Sequence, residues 1–253
     1  MRLLAIVHQP DAGPGVFAHA VADVSAELDQ WLLPSGQPPP SDPHGYDAVM
    51  TFGGAMHADH EADHPWLATE KTLLKELLEC GTPLLGVCLG AQLLAQAAGA
   101  SPRRAREPEI GWYDVRTTAE ALDDPLIGSL EPNFLALEWH SYEFPTPPGA
   151  VPLARSDVCL QAFRAGSAAW GIQFHAEVTA PAFEGWLQDY ENDPDAVALG
   201  LDPERLRSQS RPLMAGWNDL GRGLCARFLE VAADNSSKAI RSRARQPAGP
   251  PPP

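Results

Sequence analysis

Apolar residues in the first hundred positions follow two spacings that alternate along the chain. Leu3 to Val7 is a short unbroken apolar run ending at His8, the pattern of a strand buried on both faces. From Val16 to Leu33, Phe17, Val21, Val24, Leu28 and Trp31 keep helical spacing in part. Residues 34–45 are rich in proline and short polar residues and predict a loop. Tyr46 to Phe52 predicts a second strand, closed by Gly53 and Gly54. Trp66 to Leu78 carries a helical stripe at positions 66, 67, 73, 74, 77 and 78, ending near Gly81. Pro83 to Val87 predicts a third strand, and Ala91 to Ala98 a helix stopped by Gly99. Alternating strand and helix predict an α/β fold with a mostly parallel central sheet flanked by helices.

The middle of the chain changes texture. Ile110 to Val115, Phe134 to Trp139, Val158 to Phe163 and Trp170 to Phe174 are short, aromatic and β-prone, and predict further strands. Helical spacing returns from Pro181, with Phe183, Trp186 and Leu187, then Leu213, Trp217, Leu220, Leu224, Phe228 and Leu229. The expected organisation is a main domain over 1–190, a helical extension over 191–234, and a basic, Pro-rich, disordered tail over 235–253. There is no internal repeat.

Composition narrows the function. The chain has 253 residues, enough for one large α/β domain with an extension. With 18 Lys and Arg against 33 Asp and Glu, the formal net charge is −15. That balance speaks against nucleic acid as a partner, because phosphate neutralisation needs basic surface, and against anionic membranes. The four cysteines, Cys80, Cys88, Cys159 and Cys225, form no CxxC pair. No signal-peptide pattern and no apolar stretch of membrane-spanning length is seen, so a reducing cytoplasm with free thiols is expected.

The most informative segment is Gly86-Val87-Cys88-Leu89-Gly90, between an apolar strand and a helix-forming run. It is the thiol form of the G-x-S-x-G nucleophile elbow. Such a turn is tight and strained, so flanking side chains must be absent where backbones crowd. The following helix points its N-terminus at the sulfur and favours the thiolate. Cys80, Cys159 and Cys225 lack this context and read as structural.

A thiolate nucleophile needs a base. Of eight histidines, His175 stands out: it follows the apolar run Gly171 to Phe174, and Glu177 lies two positions on. Residues two apart on an extended segment share a face, so this carboxylate can orient the imidazole. His57, His60 and His64 with Asp59, Glu61 and Asp63 form a His/acid cluster, for which metal binding is one reading. With no regular element to fix ligands there, a polar surface loop is the better reading, and no metal is expected.

Three separated segments together resemble class I glutamine amidotransferases, especially GMP-synthase-like stand-alone members. They are F-G-G-A-M (Phe52 to Met56), G-V-C-L-G-A-Q (Gly86 to Gln92) and G-I-Q-F-H-A-E-V-T (Gly171 to Thr179). E-I-G-W (Glu109 to Trp112) and W-H-S-Y-E-F (Trp139 to Phe144) look like that family's linking regions. The resemblance covers about residues 1–190 and implies a flavodoxin-like fold. It further implies that Cys88 attacks the glutamine side-chain amide, that His175 shuttles the proton, and that Glu177 orients His175. By the same resemblance the N–H groups of Gly54 and Leu89 form the oxyanion hole, Gln92 contacts glutamine, and Ser141 and Tyr142 hold its α-amino acid end. A γ-glutamyl thioester would then be hydrolysed, without a cofactor. Two positions depart from the family pattern: Ala55 and Ala176 stand where proline is common. Both changes loosen a turn without removing a reactive group.

No G-x-x-x-x-G-K-[ST] loop or synthetase module is visible. Pairing with a separate ammonia-acceptor synthetase is therefore one expectation. A γ-glutamyl peptidase using the same triad and a non-catalytic regulatory module of the same fold are the rivals. A hydrolase of the α/β-hydrolase type fits less well, because its acid normally precedes its histidine.

Overall fold

A computed structural model describes residues 1–244, with side chains placed through residue 237. One nine-stranded sheet, in the order β2-β1-β3-β4-β9-β8-β7-β5-β6, organises the chain. The strands are β1 (Arg2–Val7), β2 (Glu27–Leu32), β3 (Ala48–Thr51), β4 (Leu84–Val87), β5 (Arg103–Thr117), β6 (Asn133–Glu143), β7 (Val151–Arg155), β8 (Leu160–Ala165) and β9 (Ala169–Ile172). The helices are α1 (Gly15–Asp23), α2 (Trp66–Glu79), α3 (Leu89–Ala97), α4 (Ala180–Asp189), α5 (Pro194–Ala198) and α6 (Pro203–Ala244). Strands β2, β1, β3, β4 and β9 pair in parallel, the 2-1-3-4-5 order of a flavodoxin-like sheet. The remaining strands extend it antiparallel through the β8–β9, β7–β8, β5–β7 and β5–β6 pairs.

The apolar runs are buried on both faces because both faces are covered. Along β1, Leu3, Ala5 and Val7 join the core under α1 and α6, whereas Leu4 and Ile6 join the core under α2 and α3. That alternation explains why a parallel strand reads as a continuous apolar run. The long β5–β6 pair brings Leu137, Trp139 and Ser141 back toward the parallel block.

The structure corrects several expectations. The helical reading over 16–33 fails beyond Asp23: the chain turns at Ser25, where φ is +53°, and 27–32 form the edge strand β2. Its burial is mixed, so neither period dominates the sequence. Strand β7, over Val151–Arg155, went unpredicted; it carries Pro152 and an irregular register. Helix α6 runs to Ala244, so 235–244 continue that helix, and the rest of the segment read as a tail lies outside the described residues. Among the described residues, no helix is long and apolar enough to cross a membrane.

Candidate active site

In an open α/β sheet, ligands meet the carboxyl ends of the strands where strand order reverses. Here that place lies between β1 and β3, and the site is built around it. His8 follows β1, Phe52-Gly53-Gly54 follow β3, Cys88 follows β4, and Gln173 to Glu177 follow β9.

Cys88 has φ +53° and ψ −110° at the entrance to α3, a conformation an L-residue keeps only under constraint. The constraint is crowding by the flanking glycines. A Cβ on Gly86 would stand 2.6 Å from the Gly90 carbonyl oxygen, and one on Gly90 only 2.2 Å from the Thr51 oxygen. The Cys88 N–H donates to the Ile172 carbonyl at 2.8 Å, and the Gly90 N–H to that of Phe52 at 3.0 Å. The elbow is thereby tied to β9 and to the end of β3. The sulfur lies 3.8 Å from the carbonyl oxygen of Trp139.

His175 and Glu177 are buried, with Nδ1 2.8 Å from Glu177 Oε1. Gly53 lies under the histidine and the cysteine together: a Cβ there would touch His175 Cε1 at 3.0 Å and Cys88 Cβ at 3.7 Å. Burial alone would lower the His175 pKa, but the Glu177 carboxylate and then the Cys88 sulfur outweigh it and hold it well above its ordinary value. The other buried thiols are kept neutral: burial pushes Cys159 upward and Cys225 up to about 12. Trp186 stands edge-on to the imidazole, with ring centroids 4.8 Å apart.

Cys88 and His175 open on a cavity of about 410 Å³ that Gly54, Leu89, Gln92, Ser141 and Tyr142 also line. The candidate residues named from the sequence are therefore together. Glu177 is the exception: it stands behind His175 rather than on the cavity wall. Gln92 donates to the Tyr142 carbonyl at 3.2 Å and to Gln173 Oε1 at 3.3 Å. His140 Nδ1 lies 2.9 Å from that same Tyr142 carbonyl oxygen. His57 stacks on the Tyr142 ring, with centroids 4.0 Å apart, so one member of the His/acid cluster belongs to the cavity wall.

The cluster over 57–64 does not converge on a common point; among the described residues the converging group is Glu109, His140 and Cys159. Its donor chemistry is that of a hydrogen-bonded carboxylate. Glu109 Oε2 already receives Gln161 Nε2 at 2.9 Å and the Ser156 hydroxyl at 3.1 Å. His140 Nε2 sits 3.2 Å from Glu109 and 3.4 Å from Glu138. Burial opposes its charge, but these two carboxylates raise its pKa.

The family model for class I glutamine amidotransferases matches residues 17–188. This chain belongs to that family. The amidotransferase is 26% identical over 222 residues to the glutamine amidotransferase-like protein YfeJ of Salmonella typhimurium, covering 86% of this chain and 91% of that one. It is 32% identical over 136 residues to a glutamine-hydrolysing GMP synthase subunit of Sulfolobus acidocaldarius, covering 53% of this chain and 68% of that one. The crystal structure of a glutamine amidotransferase from Thermotoga maritima superposes with a TM-score of 0.82 at 29% identity, covering 91% of this chain and 98% of that one.

Helix α6 lies beyond the matched segment of the amidotransferase, yet it grips the loop that carries His175. Trp217 Nε1 donates to the His175 carbonyl at 2.8 Å, and Asn218 Nδ2 to that of Val178 at 2.7 Å. A Cβ on Gly221 would fall 1.9 Å from the Ala176 oxygen, so only glycine lets the helix come this close. Of these three, sequence reasoning singled out only Trp217, as part of a helical apolar stripe. Asn218 next to Trp217, with Gly221 about one helical turn further on, was the only hint.

Proposed function

We propose that this amidotransferase releases ammonia from the side-chain amide of glutamine through a γ-glutamyl thioester on Cys88. One observation carries the reading: a strained cysteine at a helix N-terminus shares a cavity with an imidazole backed, at 2.8 Å, by a buried carboxylate.

The Cys88 thiolate adds to the γ-carboxamide carbon, and the carbonyl π electrons move onto oxygen. Gly54 and Leu89 N–H groups stabilise that oxyanion. Leu89 suits the role because it adjoins Cys88 in the chain, lines the cavity and precedes Gly90, whose own N–H is already held by Phe52. The His175 imidazolium protonates the amide nitrogen, the C–N bond breaks, and ammonia leaves. His175, now neutral, takes a proton from water as the water oxygen attacks the thioester. The C–S bond then breaks, glutamate departs and the thiolate is restored. Glu177 keeps the Nδ1 proton in place throughout. Gln92, Ser141 and Tyr142 hold the rest of the substrate.

Two observations bear on the product's fate. The family resemblance and the likeness to a GMP synthase subunit support delivery of ammonia to a separate synthetase. Co-purification with such a synthetase tests that step. A γ-glutamyl peptide or amine would follow the same course with an amine as leaving group. The aromatic wall of Trp139, Trp186 and Tyr190 favours this second reading, because it offers apolar surface that departing ammonia does not use. Ammonia release from glutamine, by the wild type and by Cys88→Ala, is the deciding measurement. Turnover unchanged by the substitution overturns the assignment, and faster cleavage of γ-glutamyl dipeptides than of glutamine selects the second reading.

A further inference from the structure

Beneath the Gly53–Gly54 turn lies a buried polar group that the chemistry above does not use. His8, the first residue after β1, has a fully buried side chain, as does Glu70 on α2. His8 Nδ1 is 2.9 Å from the Phe52 carbonyl oxygen and 3.1 Å from that of Gly53. Carbonyl oxygens only accept, so Nδ1 carries a proton. Its Nε2 is 2.7 Å from Glu70 Oε2, and the Thr51 hydroxyl donates to Glu70 Oε1 at 2.6 Å. The ring is thus bracketed by two backbone carbonyls at Nδ1 and by the Glu70 carboxyl group at Nε2. The ring also stacks on Trp66, with centroids 5.3 Å apart. Burial opposes the charge, yet Glu70 and the two carbonyls raise the His8 pKa.

Across a trans peptide the C=O and N–H point in opposite directions. Drawing the Gly53 oxygen down to His8 therefore turns the Gly54 N–H the other way, toward the cavity that Gly54 lines. We infer that His8 is a positioning residue for the oxyanion hole: its Nδ1–H holds the Gly53–Gly54 peptide so that the Gly54 N–H faces the substrate carbonyl, with Glu70 and Thr51 as its buried support. The inference rests on the proposed role of Gly54. The pairing follows from the fold, since Ile6 of β1 registers with Thr51 of β3, and the two chain ends leave the sheet side by side.

The test separates oxyanion stabilisation from thiolate reactivity. Iodoacetamide alkylates Cys88 by displacing iodide and forms no carbonyl oxyanion, whereas glutamine hydrolysis does. For His8→Leu we expect kcat for glutamine to fall about 10- to 100-fold, less than the full loss of an oxyanion donor. KM should stay within about twofold, and the alkylation rate of Cys88 should be that of the wild type. His8→Gln keeps an amide donor and should recover part of kcat; it decides the matter alone if the leucine variant does not fold. Unchanged kcat in a folded variant, or parallel loss of kcat and alkylation, overturns the role of His8. Glutamine turnover that survives Cys88→Ala overturns the underlying reading instead.

Discussion

The two halves of the candidate catalytic pair are held in place by opposite means. The Cys88 elbow is made almost wholly by its own neighbours, with Gly86 and Gly90 letting the backbones close and α3 beginning at the next residue. Two neighbouring strand ends, β3 at Thr51 and Phe52 and β9 at Ile172, complete it. The loop carrying His175 has no such local frame. The His175 N–H donates to the Leu137 carbonyl of β6 at 2.9 Å, and the Glu177 carbonyl accepts from the Val16 N–H of α1 at 2.8 Å. From the far side, Trp217 and Asn218 of α6 donate to the His175 and Val178 carbonyls, and Gly221 lets the helix come close to Ala176. Ala176, where the family commonly has proline, lies under that helix, so packing from a distance stiffens a turn that its own residues do not. A nucleophile can thus be encoded in five residues, whereas its base depends on three distant elements.

Substitutions can sharpen that contrast. Cys88→Ala should lower ammonia release by about 10⁴-fold or more while leaving the melting temperature nearly unchanged. Glu177→Gln should lower kcat by about 10²- to 10⁴-fold, because the imidazole loses its orienting acceptor. Gly90→Ala forces a methyl group to within 2.2 Å of the Thr51 carbonyl oxygen. It should cost about 1–3 kcal/mol of stability in denaturant unfolding, with activity lost through the elbow. Trp217→Phe keeps the ring buried but removes the donor to the His175 carbonyl. We expect about 1–3 kcal/mol lost and kcat reduced about tenfold or less. If stability falls and kcat does not, α6 supports the fold without positioning the base, and the contrast between the two regions collapses.

The smallest effect is in pH dependence. Because the folded-state pKa of His175 is raised, its contribution to stability is fully present below the unfolded value of about 6.5 and is lost as pH rises through the folded value. The gap in unfolding free energy between wild type and Glu177→Gln should therefore be larger at acidic than at alkaline pH. A gap that widens toward alkaline pH would show that Glu177 does not stabilise the charged ring.

Features set by short-range pattern were legible in the sequence. The strands β1, β3 and β4, helices α2 and α3 and the elbow all follow from apolar runs, stripes and glycine spacing, because each element's burial is written in its own residues. Strand β2 was hidden because an edge strand with mixed exposure keeps no clear period. Glu70 could have been noticed as an acid within the α2 stripe at the position between Leu67 and Leu74, and His8 as a polar residue closing the β1 run. Neither hint named the other, since the two are 62 positions apart in the chain.

The order of residues alone determined that this chain alternates strands and helices, places a cysteine in a glycine-flanked bend, and carries a histidine and a glutamate two residues apart after an apolar run. Tertiary structure decided that the cysteine and the histidine face one cavity with the glutamate behind the histidine, that α6 closes over the base loop, and that His8 meets Glu70 under the Gly53–Gly54 peptide. Local backbone sterics act between neighbours and leave a mark in the sequence. Hydrogen bonds between distant segments depend on where the sheet brings its strand ends, and no short window of residues records that.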